Sequence, residues 1–376
     1  MTLTEFFKRA RYRLSGRVVH LSPQGSSRGS VLLSYTTLPF LNPDPRILNA
    51  HTNRWECYYM AQSFLKRGYA VDVIDLDNKK FIPQRQYNFF IDNRTNLARI
   101  APLLGKDCIK IFLATNAYWR ALNDAEQARI QDIQKRRGVT LTPRRSIEPF
   151  SVEEADCIVS VCGKSANDTY AFFNKKIYSV PLSTTHEFNR RAKEYEKTRN
   201  TFIWFGGAGA AHKGLDLVLE SFAAMPEYRL LVCGKFEGEK DFVDAYQQEL
   251  YHTPNITSVG YIDPGGKEFE RIRQEAIGIV YPSSSEGCAS SVVVAMHAGF
   301  IPIVSFETGV EVGEFGTILP QNTVEEIQRA VHTLAKLPAQ TLRDKSIATW
   351  EYARRRHTRE KFGAEFRNVI NAIDIK

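Results

Sequence analysis

The stretch FGGAGAAHKG at residues 205–214 joins the apolar run TFIWF to LDLVLESF, whose apolar residues recur at helical spacing. A strand, a glycine-rich turn and a helix in this order are the repeating unit of an α/β domain. The turn does not fit a dinucleotide-binding fingerprint, because His212 stands where the third glycine would be, nor a P-loop, because Lys213 precedes Gly214. It could place backbone amides, a helix N-terminus and Lys213 against an anion. A tight turn with an exposed lysine is the alternative.

Short β-rich runs alternate with helical stretches along the chain, which predicts an α/β fold with parallel sheets. Strands are predicted at 31–37, 69–76, 87–91, 108–115, 157–161, 176–180, 201–205, 228–234, 255–262, 276–283, 301–306 and 316–320. A chain of 376 residues is too long for one ordinary core. We therefore expect two Rossmann-like βα domains facing a central cleft, with ligands outside the carboxyl ends of the strands.

The charge pattern sets the predicted domain boundaries. Residues 185–200 carry many charges and no apolar periodicity, so they are predicted to be a linker between an N-terminal domain, 1–184, and a C-terminal domain, 201–345. Three helices are predicted beyond residue 320, and one face of the last carries Phe362, Phe366, Val369, Ile370 and Ile373. We expect the helices of 346–376 to pack back toward the N-terminal domain.

The composition narrows the class of protein. A hydrophobic content of 43% with 24% charged residues is typical of a soluble globular protein, and no run of about 18 uncharged apolar residues occurs. The segment MTLTEFFKRARYRLSGR lacks the apolar region and cleavage site of a signal peptide, so a cytoplasmic protein is expected. The six cysteines include no CxxC pair and the histidines no HxxxH pair. Buried reduced thiols and no metal site are therefore expected.

The chain has a formal net charge of +8 at pH 7. This charge is scattered and accompanies no known nucleic-acid motif, so we expect no nucleic-acid partner. In the first 17 residues, Phe6, Phe7 and Leu14 stand among several cations, which is typical of a short helix at a membrane interface. A solvated helix is the alternative. Peripheral contact with the inner membrane surface is therefore a hypothesis.

A second stretch, IVYPSSSEGCASSVVVAMHAGFIPIVS at 279–305, occupies a matching place later in the same domain. Its strand ends in a polar loop with Glu286 and Gly287, and a helix opens near Ser290. The first turn of that helix offers free amides and the hydroxyls of Ser290 and Ser291, a second anion site facing the first. Two helix N-termini and a lysine suit a diphosphate, and a carboxylate suits sugar hydroxyls. For Glu286 alone, an ordinary loop acid is the alternative.

The C-terminal half resembles the family 4 glycosyltransferases, which have the GT-B fold. KGLDLVLESFAAMPEYRLLVCG and PSSSEGCASSVVVAMHAGFIPIV follow the family order of glycine-rich turn, Lys-Gly, helix and then P…EG…S…AM..G..P, over roughly 120 residues. The N-terminal half matches more loosely, through LKRGYAVDVID and the βα alternation. The resemblance implies an enzyme that uses a nucleotide sugar, retains anomeric configuration and needs no metal ion.

The resemblance also implies a donor site in this half. Its donor-binding residues would be Gly207, Lys213, Tyr261, Ile262, Glu286, Gly287, Ser290 and Ser291. Lys213 would hold the diphosphate and Glu286 the sugar hydroxyls, as the two catalytic residues. One position departs from the family, which commonly has a second glutamate eight residues after the first to bind ribose. Here that position is Val294, which cannot accept those hydrogen bonds.

In GT-B enzymes the N-terminal domain mainly binds the acceptor. The long loop at 38–56 brings His51 and Arg54 to the start of a predicted helix, and we expect both to face the acceptor or the donor phosphates. In the alternative interpretation, Asn53 caps the helix and Arg54 is solvated.

A second acceptor-side loop is predicted after the strand CIKIFLAT. It carries Asn116, followed by Tyr118 and Trp119, whose rings could stack on a sugar. The alternative for Trp119 is a half-buried place in the core.

The resulting hypothesis is a retaining, metal-independent glycosyltransferase of the hexosyltransferase type. It would move a sugar from a nucleoside diphosphate sugar to a glycan or lipid-linked acceptor in cell-surface polysaccharide biosynthesis, without a further cofactor. A nucleotide-sugar epimerase or phosphorylase-like enzyme is an alternative within the fold, and Val294 would suit a non-catalytic nucleotide-sugar-binding protein. A glycoside hydrolase is not favoured, because no carboxylate partner for Glu286 can be identified from the sequence.

Overall fold

The computed structural model describes residues 18–42 and 44–374. The membrane-facing helix hypothesised for the first 17 residues lies outside them. The described residues contain thirteen strands in two sheets. The first sheet contains β1 (Val18–Leu21), β2 (Gly29–Tyr35), β3 (Tyr69–Asp75), β4 (Phe89–Asp92), β5 (Ile109–Ala114), β6 (Cys157–Ser160) and β7 (Ile177–Ser179). The second contains β8 (Thr201–Gly206), β9 (Arg229–Gly234), β10 (Ile256–Gly260), β11 (Gly278–Tyr281), β12 (Ile301–Ser305) and β13 (Thr317–Leu319).

The α-helices connect most of these strands. Those of the N-terminal half are α1 (Leu38–Leu41), α2 (Pro45–Asn49), α3 (Thr52–Lys66), α4 (Asn96–Ile100), α5 (Trp119–Arg137) and α6 (Lys164–Asp168). Those that follow are α7 (Tyr195–Thr198), α8 (Leu215–Ala223), α9 (Lys240–Ala245), α10 (Gln247–Tyr251), α11 (Lys267–Glu275), α12 (Ser290–His297), α13 (Val324–Ala335), α14 (Ala339–Arg356) and α15 (Arg359–Asp374). Short 3₁₀ helices lie at Ala101–Leu103, Ala171–Phe173 and Phe306–Thr308.

The first sheet has the strand order β1-β3-β2-β4-β5-β6-β7. β2 to β7 pair in parallel, whereas β1 pairs antiparallel with β3, with Val18 opposite Ile74. The sequence pattern does not predict β1, because the four residues VVHL are too few to show a period. Its pairing with β3 defines it as a strand.

The second sheet is entirely parallel and has the order β10-β9-β8-β11-β12-β13. Its central strand β8 buries Phe202, Ile203 and Trp204 completely, because helices cover both faces of a parallel sheet. Every strand predicted from periodicity is present. The predicted α/β class with two parallel sheets is therefore confirmed.

The chain crosses between the two halves at two neighbouring points. At the first, the backbone N–H and hydroxyl of Ser183 donate to the buried carboxylate of Glu56 in α3, at 3.1 and 2.8 Å. At the second, between α14 and α15, the Nδ1 atom of His357 lies 3.1 Å from the carbonyl oxygen of Leu182. Burial lowers the pKa of His357 to about 4. A neutral imidazole therefore holds the two crossing segments together.

The last helix, α15, lies against the N-terminal half. Its buried apolar residues are Phe362, Phe366, Val369, Ile370 and Ile373. Phe362 packs edge-on against Trp55 of α3 at 5.8 Å between ring centroids, and Phe366 packs against Phe64 at 6.3 Å. The preceding helix α14 instead contacts α12 and β12. Residues far apart in the chain therefore share one core.

Charged contacts hold the two halves against each other beside the cleft. Near the end of α5, Arg136 donates to Asp216 of α8 at 2.7 Å, and Arg137 donates to Glu249 of α10 at 2.5 Å. The backbone N–H of Thr142 donates to Asp241 at 2.7 Å. Asp216 lies in the first turn of α8, so its contact with Arg136 holds the N-terminal half against the helix that follows the glycine-rich turn.

Candidate active site

Two loops of the C-terminal half meet at one edge of its sheet. β8 and β11 are neighbouring strands, so the turn 207–214 and the loop 282–289 leave the same edge. The backbone N–H of Ser284 donates to the carbonyl oxygen of His212 at 2.8 Å, and the Nε2 atom of His212 contacts the carbonyl oxygen of Ser285. Burial lowers the pKa of His212 to about 4. A neutral, buried imidazole therefore joins the two loops at the position where a dinucleotide fingerprint would need glycine.

Lys213 and Glu286 form an ion pair where these loops join. Each side chain is 9% exposed, and the hydroxyl of Tyr281 donates to the same Glu286 oxygen at 3.2 Å. Burial alone would raise the pKa of Glu286, but the charges of Lys213 and Arg145 outweigh it and lower that pKa to about 2. Burial acts to lower the pKa of Lys213, and the charge of Glu286 reverses this effect and raises it. Both residues are therefore charged at neutral pH.

The amides of the glycine-rich turn are only partly open to a ligand. The carboxylate of Glu239 accepts the N–H groups of Gly209 and Ala210, at 2.6 and 3.1 Å. Gly207 and Ala208 are exposed, and no atom lies within 4 Å of a Cβ placed on Gly207. A carboxylate of the protein itself therefore occupies the N–H groups of Gly209 and Ala210, and the expectation that Gly207 and the backbone beside it face the donor diphosphate stays a prediction.

Helix α12 begins at Ser290, four residues after Glu286. Ser290 and Ser291 are half-buried in its first turn. Val294 follows in the next turn, where it is 4% exposed and packed into the apolar core. Helix α12 therefore presents hydroxyls near the ion pair and no carboxylate at position 294.

The loop after β10 presents an aromatic side chain to solvent. Tyr261 is 62% exposed, and the Nζ atom of Lys235 lies 4.1 Å from the centroid of its ring. Ile262 is buried, and Gly260 before it has a φ of +75°. An exposed ring beside a cation offers a flat face on which a nucleobase could stack. The assignment of Tyr261 and Ile262 to the base stays a prediction.

On the N-terminal side, His51 is the N-cap of α3. Its Nδ1 atom accepts the N–H of Asn53 at 3.3 Å, so the alternative in which Asn53 caps the helix is wrong. His51 is exposed at the surface of the cleft, but desolvation by the surrounding groups lowers its pKa, and the charges of Arg54, Arg145 and Lys213 add to the shift. His51 therefore faces charged groups from both halves.

Arg54 and His51 line a cavity of about 270 Å³ at the carboxyl ends of β2 and β3. Asp75 and Asp77 lie across it. Arg54 is half-buried, and its Nη1 atom donates to the carbonyl oxygen of Ile47 at 3.2 Å. The alternative of a solvated Arg54 is therefore wrong, because the preceding loop holds the guanidinium at the cavity.

Asn116 lies directly against the loop 282–289. A Cβ placed on Gly287 would be 2.9 Å from the Cα of Asn116 and 2.7 Å from the carbonyl carbon of Thr115. The neighbouring rings turn away from the cleft, since the hydroxyl of Tyr118 and the indole N–H of Trp119 both donate to the carbonyl oxygen of Phe150. The half-buried core position is therefore the one that Trp119 occupies.

Three glycines form a tight seam between the halves beside this contact. The N–H of Gly163, at the end of β6, donates to the carbonyl oxygen of Gly287 at 2.9 Å. A Cβ on Gly163 would lie 2.7 Å from the Cα of Gly309, and one on Gly309 would overlap Gly287. The loop that carries Glu286 is therefore held against the N-terminal half by direct backbone contact.

Sequence reasoning missed Arg145, which lies in the loop between α5 and β6. Its charge acts on His51, Lys213 and Glu286. No local pattern signals this, because TPRRSIE is indistinguishable from an ordinary polar loop. No group of three or more His, Cys, Asp or Glu residues in the described part of the chain is arranged to hold a metal ion.

The fold matches solved structures despite low sequence identity. Sucrose-phosphate synthase from Thermosynechococcus elongatus matches with a TM-score of 0.64 and 14% identity, covering 93% of this chain and all of that one. HepE from Anabaena, in complex with UDP and glucose, matches with a TM-score of 0.57 and 10% identity, covering 92% of this chain and all of that one. Both are GT-B structures. This protein has the GT-B fold.

Lys213, Glu286 and the loops that carry them lie in the part of this GT-B chain that also matches a family by sequence. Residues 186–355 match the family model of glycosyl transferases group 1. Among curated proteins, none matches the sequence significantly. Within residues 18–42 and 44–374, no helix has the length and apolarity needed to cross a membrane.

Proposed function

We propose that this protein is a retaining glycosyltransferase of family 4 that transfers a sugar from a nucleoside diphosphate sugar. The observation that carries the proposal is the buried ion pair of Lys213 and Glu286 at the joined ends of β8 and β11. A cation and a carboxylate fixed at one point match the two parts of such a donor, the phosphates and the sugar hydroxyls. The match of 186–355 to glycosyl transferases group 1 includes both residues and supports this assignment.

In the proposed reaction, the bond between the anomeric carbon and the diphosphate oxygen breaks. A bond from the acceptor hydroxyl oxygen forms on the same face, and the hydroxyl proton passes to the departing phosphate oxygen. Lys213 and the amides at the start of α12 stabilise the negative charge that develops on the diphosphate. Because these fixed groups supply the positive charge, the reaction should need no metal ion.

Donor binding would exchange the partners of the ion pair. Lys213 would turn from Glu286 to the phosphates, and Glu286 would accept hydrogen bonds from sugar hydroxyls instead. Burial acts to raise the pKa of Glu286, but the stronger effect of Lys213 and its neighbours lowers it. Glu286 is therefore ionised at neutral pH and can only accept hydrogen bonds. Neither group is then left buried without a partner, so the exchange avoids a large desolvation penalty.

The acceptor would enter from the N-terminal half. The cavity of about 270 Å³ beside His51 and Arg54 has room for a sugar-sized group, and its polar lining suits hydroxyls. We propose a glycan or lipid-linked acceptor of cell-surface polysaccharide biosynthesis, with the basic N-terminal segment resting on the inner membrane surface. Flotation with anionic liposomes tests this contact, and binding that survives deletion of residues 1–17 would refute it.

Thermal shifts with UDP, GDP, ADP, CMP and NAD, each with and without EDTA, test the proposed donor class. A nucleotide at about 100 times its Kd stabilises the folded state by about 2.7 kcal/mol, which gives a clear shift in Tm. UDP is the first choice, because HepE was solved with it. We expect one nucleoside diphosphate to shift Tm equally with and without EDTA. Activity that is lost in EDTA and restored by manganese would contradict the metal-independent reaction.

Product stereochemistry tests retention separately. The matching nucleotide sugar is supplied with candidate acceptors, and the anomeric configuration of the product is read by NMR. A product of inverted configuration would contradict the proposed mechanism without affecting the donor assignment.

Val294 favours a second candidate, a nucleotide-sugar-binding protein without transferase activity. Its burial in α12 leaves no carboxylate at that position for the ribose hydroxyls. Such a protein would bind a nucleotide and transfer sugar to no acceptor. An epimerase would convert the nucleotide sugar with no acceptor present, so parallel incubations with donor alone and with donor plus acceptor separate the three functions.

A further inference from the structure

Arg145 reaches the donor site from the opposite half of the molecule. Its loop is fixed by the buried carboxylate of Glu126 in α5, which accepts the backbone N–H groups of Arg144 and Arg145, both at 2.7 Å. The hydroxyl of Ser146 donates to the other oxygen of Glu126 at 3.0 Å. Arg145 is therefore held at a defined place rather than on a free loop.

The side chain of Arg145 lies on the glycine-rich turn. A Cβ placed on Gly209 would be 2.7 Å from both Cγ and Cδ of Arg145. Gly209 also has a φ of +91°, so both its backbone conformation and this contact require glycine. The turn that carries Lys213 and the loop that carries Arg145 can therefore pack this closely because residue 209 is a glycine.

The guanidinium of Arg145 lacks a carboxylate partner among the described residues. Its Nε atom is buried and makes no hydrogen bond there, whereas the neighbouring Arg144 pairs with Asp241 at 2.5 Å. Glu286, which feels the charge of Arg145, is already paired with Lys213. One positive charge at the closed cleft is thus uncompensated, and such a group is stabilised by a bound anion.

A cavity leads to this charge. A cavity of about 520 Å³ is lined by Arg145, Asn116 and Arg94, so Arg145 lies between this cavity and the ion pair. Of the other cations around it, Lys79 pairs with Glu148 at 2.7 Å and Arg94 lies 3.8 Å from Asp77. Arg145 is therefore the cation of this group that has no carboxylate partner among the described residues and can bind an anion that enters the cleft.

We propose that Arg145 binds a phosphoryl group of the substrate, so that a phosphate in the cleft is held by Lys213 from one half and by Arg145 from the other. This inference rests on the proposed function. The phosphoryl group could belong to the donor diphosphate or to a phosphate-linked acceptor, and both present the same oxygens to a planar guanidinium. In either case, substrate binding tightens the contact between the halves at Gly209.

The test compares Arg145→Ala and Arg145→Lys with Arg120→Ala, an exposed arginine of the same half that stacks on Trp119. Calorimetry measures the Kd of each full-length protein for UDP, GDP, ADP, the matching nucleosides and pyrophosphate. Loss of a charged hydrogen-bonding partner should weaken nucleoside diphosphate binding about 10- to 100-fold in Arg145→Ala. Arg145→Lys should lie between, and nucleoside affinity should not change. Arg120→Ala should match the wild type.

The outcomes separate the two sources of phosphate. If Arg145→Ala binds nucleoside diphosphates normally but raises KM for a phosphate-bearing acceptor about tenfold, the acceptor supplies the phosphate. If neither changes, the inference is overturned. If the wild type binds no nucleoside diphosphate, the proposed donor class is refuted. Pyrophosphate then tests the role of Arg145 by itself: the wild type should bind pyrophosphate and Arg145→Ala should bind it more weakly. Any other result with pyrophosphate overturns the inference. Unliganded Tm values check folding, and Arg145→Lys replaces Arg145→Ala if the latter unfolds.

Discussion

The C-terminal side of the cleft, the proposed donor side, is built from two neighbouring strand ends, whereas the N-terminal side, the proposed acceptor side, is built from three loops of distant parts of the chain. Lys213 and Glu286 meet because β8 and β11 pair in one sheet. His51, Asn116 and Arg145 arrive from separate loops, held by a helix cap, a backbone seam and Glu126. A site at the ends of adjacent strands can therefore be recognised from short stretches of the sequence. A site formed by separate loops depends on contacts between residues that are far apart in the sequence, and no short motif indicates them.

The largest effect is expected from Lys213→Ala, which asks whether the donor side supplies most of the catalysis. Losing a fixed positive charge at the departing diphosphate should raise the barrier by about 2 to 4 kcal/mol, or about 30- to 1,000-fold in kcat. Steady-state kinetics with the nucleotide sugar identified by binding measure this change. A loss of less than about threefold in kcat/KM would place Lys213 outside the reaction.

Stability measurements provide the control for this variant. Lys213→Ala leaves Glu286 buried and unpaired, so the free energy of unfolding should fall by about 3 to 5 kcal/mol. The double variant Lys213→Met with Glu286→Gln removes both charges and should regain much of that stability. It should remain inactive, which would separate the catalytic effect from the folding effect.

A smaller loss is expected from Gly287→Ala, which breaks the contact between the two sides without removing a polar side chain. The new methyl group would overlap the backbone at Thr115 and Asn116, so the halves must separate locally. Displacement of the reacting groups by about 1 Å can lower kcat about 100-fold. Gly238→Ala is the matched control, because no atom lies within 4 Å of a Cβ there. Equal activity of the two variants would show that the seam does not position the site.

The next effect concerns the acceptor side alone. Because His51 accepts the N–H of Asn53, His51→Ala should lower the free energy of unfolding by about 1 kcal/mol, the usual contribution of an N-cap. Asn53→Ala should change it by much less. Chemical denaturation of both variants measures the difference, and the reverse order would mean that Asn53 is the cap after all.

The smallest effect is expected from a change of pH between 5 and 8. The pKa of Glu286 in the folded protein is about 2, below the ordinary value of 4.5. Burial acts to raise this pKa, but the effect of Lys213 and its neighbours is larger and lowers it. The stabilising contribution of Glu286 is therefore complete above about pH 5 and is lost as the pH falls from there toward 2. The difference in unfolding free energy between wild type and the double variant Lys213→Met with Glu286→Gln, in which neither position titrates, should be constant from pH 5 to 8. A difference that grows between pH 6 and 8 would point to another titrating group.

Much of the fold and the donor side could be predicted from the sequence. Parallel strands buried on both faces leave continuous apolar runs, so the strands with such runs were found, and only the short edge strand β1 was missed. Lys213 and Glu286 follow directly after two such runs, and neighbouring strands bring them together.

The remaining site residues depend on partners that the sequence does not reveal. Glu239 occupies the amides of Gly209 and Ala210 because β9 lies beside β8, and nothing in its own loop indicates this. His51 displaces Asn53 as the cap through the backbone conformation of the long loop before α3. Arg145 is placed by Glu126, which lies 19 residues earlier on α5.

The position of α15 affects how the protein is made on the ribosome. The apolar face of α15 covers Trp55, Tyr59 and Phe64 of α3, so the N-terminal core is complete only when α15 has been synthesised. At about 5 to 20 residues per second, the interval between residues 184 and 374 lasts about 10 to 40 s. During that time the aromatic surface of α3 lacks its cover, so we expect chaperones that bind exposed apolar segments to bind the nascent first half.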